Sequence, residues 1–588
     1  MLNLKTPGVY IQEVSTLPAS VAPVATAIPA FVGYTQKREV NGETLPDYEP
    51  VRITSLLEYE EIFGAPFDEN YKVLLEEVGG ELAISFDPGY TQSPYLLNYA
   101  MQMYFANGGG PCYVVSAGVY DLDNPGIDKD DLEAGIDALE QEDEPTILLV
   151  PETVQLANAA DRKTLNEKLI TQCDKLQDRF ALFDVVHKAN NTVKQDGDDF
   201  RNDDIGLSYL KYGAAYYPPL NSNFIRYYND DTVNLTDQRP GATYDDEALS
   251  VLEKGSSSSP TAASTTITFN SRFRSVATES FNIGGSAYIF RDADGNGGDI
   301  DLGATAAETA ENFVTFINAN PNADPNLIVT ATADGAAVTV TASAAGAAGN
   351  EITVIYSGSA GAKIGSGTLE GGADADQVPD LTLFNQIKAF LNENKVLIHP
   401  SCAMAGIYAR VDRDRGVWKA PANVSVNEVV SPNILVTAAE QENLNVDATS
   451  GKSINAIRNF TGKGTLVWGS RTLAGNDNEW RYIPVRRLYI FIEESIKKAT
   501  EPYVFEPNDA NTWLKLKGLI ENFLTSLWRD GALAGAVPAD AFFVRIGLGQ
   551  TMSAIDILEG KLNIEIGLAA VRPAEFIILK FSHKLQES

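Results

Sequence analysis

Short apolar runs alternate with amphipathic stretches along residues 30–250. Ala30-Phe31-Val32-Gly33-Tyr34, Cys112-Tyr113-Val114-Val115-Ser116, Thr146-Ile147-Leu148-Leu149-Val150 and Phe180–Val186 are nearly continuous apolar runs. Such runs predict strands buried on both faces, as in a parallel sheet covered by helices. The spacing between them predicts helices near Ser93–Asn107, with Leu96, Tyr99, Met103 and Tyr104 on one side, and near Asp161–Arg179, with Leu165, Leu169, Cys173 and Leu176. Together these elements predict an α/β layer. Residues 375–425 return to this character, with Val396–Pro400 as one more buried strand.

The pattern changes at three places. In residues 1–30, Val9–Val14 reads as a short strand, and Pro18, Pro23 and Pro29 keep the following chain extended. Such an arm either tucks onto its own domain or adds a strand to a neighbour's sheet. Ser256–Ser259 and Pro260 form a loop signal, after which Thr261–Gly372 is rich in Ala, Gly and Thr. The alternation in Thr265–Phe269 and Ala337–Thr341 predicts an inserted, mostly β module with one helix near Ala306–Asn318. From residue 426 the last block begins. It predicts a helix at Val485–Ala499 with Glu493–Lys497 and Glu494–Lys498 pairs, then a helix at Asn511–Trp528 with Trp513, Leu516, Ile520, Phe523, Leu524 and Leu527 on one face. Strands follow at Leu562–Leu568 and Glu575–Phe581.

Composition narrows the function. A chain of 588 residues predicts about four domains. With 45 Lys+Arg against 79 Asp+Glu the formal charge is −34, which repels phosphate backbones and argues against nucleic acid as a partner. Asp121–Glu144 alone holds eleven acids against Lys129 and reads as a solvated loop and helix surface. Three widely spaced cysteines, Cys112, Cys173 and Cys402, make no disulfide framework and fit a reducing compartment. With neither a signal-peptide pattern nor an apolar stretch of about 20 residues, the expectation is cytoplasmic synthesis, no membrane insertion and release by a route such as lysis.

The candidate chemistry is incomplete at each site. Gly451-Lys452-Ser453 resembles the end of a phosphate-binding loop, but Val446 stands where the first glycine belongs. Asp292–Gly303 resembles a calcium loop, but Gly303 stands where the bidentate Glu belongs, so an acidic turn is the expected reading. His187, His399 and His583 lack metal-ligand spacing. A Cys402–His399 pair is a possible catalytic couple, although a loop or core role is the commoner one. The expectation is no enzyme, no metal and no cofactor.

The specific signal is a series of motifs in order. They are Thr6–Glu13, Asn107–Gly110, Ala215–Pro219, Gly416–Asn423, Gly462–Leu473, Trp480–Leu488, Phe505–Asn508 and Arg572–Phe576. Together they resemble the contractile tail sheath proteins of myophages, R-type bacteriocins and extracellular contractile injection systems. The resemblance spans nearly the whole chain. The inserted module resembles the β-sandwich domain of many phage sheaths, with Ala347–Asn350 and Leu369–Gly372 as its marks.

This resemblance implies an α+β multidomain protein. Its parts are an extended arm at 1–30, an α/β middle domain at 31–255 continuing at 373–425, an inserted β-sandwich-like outer domain at 256–372, and an inner domain with a C-terminal strand at 426–588. The implied function is a structural subunit of a helical tube around an inner tube, in stacked rings expected to be hexameric, with baseplate and terminal cap proteins as further partners. Val9, Tyr10, Ile11 and Val14, and Phe576, Ile577, Ile578, Leu579 and Phe581, are the implied inter-subunit strands. Lys515 and Lys517 are the tube-facing candidates, with an ordinary solvated helix face as the alternative. Arg486 and Arg487 either bridge to acidic partners or pair within the domain. The expected charge runs from a basic inner domain to an acidic outer wall. An acidic, β-rich surface or adhesin-like binding protein remains the alternative class.

Overall fold

The computed structural model describes residues 21–240, 244–254, 256–257, 262–270, 279–290, 300–319, 329–343, 347–358, 362–371, 377–378, 380–447 and 449–579. They pack as two compact units, one from the described residues of Met1–Glu69, Thr91–Tyr227 and Asn392–Ser588, the other from Asn70–Tyr90 and Tyr228–Leu391.

The first unit is organised by an eight-stranded sheet. In chain order its strands are β1 (Pro29–Thr35), β2 (Pro50–Ile53), β3 (Cys112–Val119), β4 (Ile147–Leu149), β5 (Phe180–Asp184), β6 (Gly213–Tyr217), β7 (Ile454–Phe460) and β8 (Gly464–Val467). Their spatial order is β8-β7-β6-β5-β4-β1-β3-β2. The six inner strands are parallel, and the edges β8 and β2 are antiparallel. Every residue of β1 is buried, as its apolar run predicts.

Helices cover both faces. Those used below are α1 (Leu97–Ala106), α2 (Lys129–Ala138), α3 (Ala159–Leu176), α4 (Pro400–Arg415), α5 (Ile483–Thr500), α6 (Ala510–Arg529) and α7 (Ala554–Leu558). A Cβ at Gly135 of α2 would lie 2.5 Å from Val32, and a Cβ at Gly33 would lie 3.1 Å from Leu97 of α1. Neighbouring strand residues point to opposite faces, so α1 and α2 flank the sheet from opposite sides. α6 buries Leu516, Ile520, Phe523, Leu524 and Leu527 in a second core with Leu488, Phe491 and Ile492 of α5. That core also supports a two-stranded sheet of β9 (Phe542–Arg545) and β10 (Glu565–Leu568).

The second unit contains the inserted module. Ser264–Phe269 pairs with Ala337–Ala342 and Ala362–Ile364, and Ser280–Ile283 pairs with Ser286–Ile289 and Val354–Ser357. Phe269, Phe281, Phe290 and Phe313 meet in its core, the last from the helix Ala306–Ala319. A further sheet carries the hairpin Lys72–Val78/Glu81–Phe86, turned at Gly79 and Gly80 with φ of +67° and +87°. Its strands were not foreseen, although a Gly-Gly pair is a hairpin signal.

Two expectations need correction. Residues 575–579 form no strand within this chain. A strand needs a partner, and none of the described residues pairs there. Glu493 does not pair with Lys497; it reaches back to Arg486 at 2.8 Å, while Lys497 and Lys498 both turn to Glu494 at 3.1 and 3.5 Å. The Arg486 side chain is nearly buried, so its charge has the greater need of a partner.

Candidate functional site

The structure brings three of the sequence motifs to one point. β7 and β8 form a hairpin, and the chain leaves β8 through Trp468-Gly469-Ser470-Arg471. Asn455, fully buried on β7, accepts from the Arg471 N–H at 2.7 Å and donates to the Arg471 carbonyl at 2.8 Å. Gly469 allows this approach, since a Cβ there would meet Asn455 at 2.7 Å. With its backbone fixed, Arg471 aims its guanidinium at Glu575. Nε lies 2.9 Å from Oε1 and Nη2 lies 2.6 Å from Oε2, a two-pronged pair. Tyr482 donates to the same carboxylate at 3.1 Å and Asn445 at 2.8 Å. Arg572 donates to the Asn478 carbonyl at 2.9 Å. Burial works to raise the Glu575 pKa, but the hydrogen bonds from Arg471 and Asn445 and the Arg471 charge hold it below its ordinary value.

The chain changes character at the next residue. Phe576, Ile577, Ile578 and Leu579 are 72%, 79%, 80% and 72% exposed. They form no strand and no backbone hydrogen bond to another described residue. Beside them lies an apolar groove of about 700 Å³ with Trp418, Trp468, Arg458, Tyr482, Pro573 and Phe576 in its walls. A carboxylate is anchored, and an apolar segment is presented.

The other predicted residues take separate places. Phe581, and Val9, Tyr10, Ile11 and Val14, lie outside the described residues, as does Asp292–Asp299 of the calcium-like loop. Lys515 is exposed on α6, and Lys517 lies 3.8 Å from Glu521. Arg487 forms a double hydrogen bond with Asp412, at 2.9 and 2.6 Å, and stacks over Tyr408. Arg486 sits between the rings of Tyr212 and Trp480. Both arginines thus pair within the unit, which removes them from any basic inner surface.

The phosphate-loop and catalytic candidates also resolve. Lys452 is buried, and its ammonium donates to the carbonyls of Arg201 and Ile205. It ties loops together and faces no open cradle. Cys402 donates its thiol to the His399 carbonyl at 3.0 Å, not to the ring. Burial raises the thiol pKa and pushes the imidazole down to about 4, so neither group is poised for nucleophilic work. Among the described residues no cluster of His, Cys, Asp and Glu could hold a metal, and no helix is long and apolar enough to cross a membrane.

Arg471 and Glu575 were legible only as letters of motifs. The available signal was a lone Arg between Ser470 and Thr472 and a lone Glu before an apolar run, and their pairing required the fold.

Residues 475–584, which include Tyr482 and Glu575, match the model of the phage tail sheath C-terminal domain. Over the whole length, the chain is similar to a subunit of the contracted sheath complex of the PVC extracellular contractile injection system. That similarity has 25% identity and a TM-score of 0.52, and covers 99% of this chain and 98% of the other. The fold of the chain is that of contractile sheath subunits, and its C-terminal residues resemble a phage tail sheath C-terminal domain. A chain of the six-fold symmetrised baseplate of the anti-feeding prophage is similar at 25% identity and a TM-score of 0.50, over 99% of this chain and 100% of that one. Curated relatives match over shorter stretches. The tail sheath protein of Vibrio phage KVP40 is 28% identical over 124 residues, 21% of this chain and 18% of the relative. That of Burkholderia phage BcepMu is 30% identical over 140 residues, 23% of this chain and 29% of the relative. The chain therefore spans less than a third of either curated relative.

Proposed function

We propose that the protein is a structural, non-enzymatic subunit of a contractile sheath, part of a phage or phage-tail-like particle. It polymerises as a helical tube around an inner tube and shortens to drive that tube through a target envelope. The observation that carries this reading is the abrupt change at Glu575, where a partly buried, four-fold hydrogen-bonded carboxylate is followed by four exposed apolar residues that pair with no other described residue. A segment so presented is suited to adding a strand to another chain's sheet. The β9–β10 pair is the acceptor we assign, because a two-stranded sheet leaves edges open for addition. Val9–Val14 is the second added strand, from another subunit. Such links make heterologous, non-closing contacts that build rings into a helix. Contraction is then rigid-body movement of subunits about the links, with outer surfaces gaining contacts and no nucleotide consumed.

In this reading residues 1–30 are the arm, 31–255 with 373–425 the middle domain, 256–372 the outer domain and 426–588 the inner domain. Six subunits per ring, baseplate and cap proteins at the ends, assembly in the cytoplasm and release by lysis complete the proposal. The adhesin-like alternative accounts for the inserted module but not for the C-terminal match.

Electron microscopy of negatively stained particles tests it. The full chain should give striated hollow tubes in long narrow and short wide forms. A chain lacking Met1–Val14 should remain folded and soluble and give none. Contracting particles from the shortened chain would refute the role of the arm, and a monomer under all assembly conditions would refute the sheath.

A further inference from the structure

Glu152 is a fully buried carboxylate that makes no ion pair among the described residues. It follows β4 directly and accepts three backbone N–H groups. Tyr34, near the end of β1, donates to Oε2 at 2.9 Å, and Leu96 and Leu97, at the start of α1, donate to Oε1 at 2.9 and 3.1 Å. Leu96 is the N-cap of α1 and makes no side-chain bond of its own, so Glu152 supplies the cap from a distant segment. Burial pushes the carboxyl up to about 7, against the three N–H groups that hold it down.

At this place the order of the sheet reverses. β1 and β4 are parallel neighbours; the chain from β1 reaches β3 on one side through α1, and the chain from β4 reaches β5 on the other side through α3. In doubly wound sheets such a reversal opens a crevice outside the carboxyl ends of the strands, where a helix N-terminus takes the anionic group of a ligand. Here the crevice is shaped around a carboxylate. A Cβ at Gly33 would stand 2.8 Å from Glu152 Oε2. Tyr59 is fully buried, and its hydroxyl has no hydrogen-bond partner among the described residues. Burial and the Glu152 charge both raise its pKa, so it lies within the field of this anion. The arrangement recurs one strand along. Asp184, the last residue of β5, accepts from the Ser401 N–H and hydroxyl at 2.8 and 2.5 Å in the first turn of α4, whose N-cap His399 makes no side-chain bond.

We propose that the ends of β1 and β4 and the N-terminus of α1 form an anion-binding crevice whose resident ligand is the Glu152 side chain, and that removing this side chain opens a site for a free monocarboxylate. The chain thereby fills from within the place at which other doubly wound sheets take a ligand. The ligand class follows from the donors. Three backbone N–H groups and a helix N-terminus, with no side-chain cation paired there, suit one small anion of a single charge. The assignment depends on the fold of the subunit and is independent of the sheath reading.

Thermal unfolding of the purified full chain at about pH 8, where the Glu152 carboxyl is ionised, tests the crevice with acetate as the probe. Glu152→Ala should lower the midpoint by at least about 5 °C, because three buried N–H groups lose their acceptor. Sodium acetate at about 0.2 M should recover at least half of that shift, and sodium chloride at equal ionic strength should not. The wild type, whose crevice is occupied, and Glu152→Gln, whose side chain fills the same space, should gain no more from acetate than from chloride. Glu152→Gln should itself melt below the wild type, since its amide N–H groups would face the Tyr34 N–H. If Glu152→Ala folds too poorly to melt, the soluble yield on refolding is the readout, and acetate should raise it at least about threefold over chloride. Equal responses of Glu152→Ala to the two salts overturn the crevice. So does an acetate response of the same size in the wild type or Glu152→Gln, or a Glu152→Ala variant that melts with the wild type.

Discussion

Glu575 and Phe576 are neighbours in the chain with opposite surroundings. The carboxylate, which water would solvate well, lies in a cage of Arg471, Tyr482 and Asn445. The four apolar residues after it, which water solvates poorly, stand 72–80% exposed. Within a solitary domain this order is inverted, since burying an ion requires a full set of partners and exposing an apolar run forfeits its transfer energy. The inversion becomes sensible when the root belongs to this chain and the tip to another.

The largest effect is expected at the root. Glu575→Ala should leave the Arg471 guanidinium, 5% exposed, without its counter-charge. The loss should be roughly 3 kcal/mol, read from the denaturant midpoint of the C-terminal part, with loss of polymer as well. Retained stability would mean that the cage does not anchor the segment.

Acid should produce a smaller version of the same loss. Because the folded pKa of Glu575 is depressed, its contribution is fully present above the ordinary carboxylate range near 4.3. It declines as pH falls through the lower folded value. Proteolysis of the tail should therefore stay constant from pH 8 to about 5 and accelerate below about 4, and the Glu575→Gln variant should lack that step.

The smallest effect on stability is expected at the tip. Ile578→Asp changes an exposed residue and should shift unfolding by less than about 0.5 kcal/mol. It should nevertheless abolish tubes in the microscope, because a charge would enter the pairing surface. Equal damage to stability at tip and root would end the contrast.

Much of the fold was legible in the sequence. The runs at Ala30–Tyr34, Cys112–Ser116 and Phe180–Val186 have few alternatives to buried parallel strands, and β1, β3 and β5 lie there. The stripes of α3 and α6 were equally plain, because a period of 3.6 residues is a local property. The hairpin at Gly79–Gly80 was missed even though its turn residues were visible, since Lys72–Val78 carries charges that blur its alternation. The root cluster could not be read at all. Arg471 and Glu575 are 104 positions apart, and no local pattern states which buried arginine meets which carboxylate.

By itself the sequence determined the α/β layer, the inserted β module, the two C-terminal helices and the ordered motifs, because periodicity, turn chemistry and spacing act over short distances. Only the tertiary structure decided that Lys452, Arg486 and Arg487 are internal ties, that three motifs converge on Glu575, and that Glu152 caps α1 from the end of β4. Burial and pairing are settled by which surfaces the folded chain brings together, and those surfaces come from segments far apart along it.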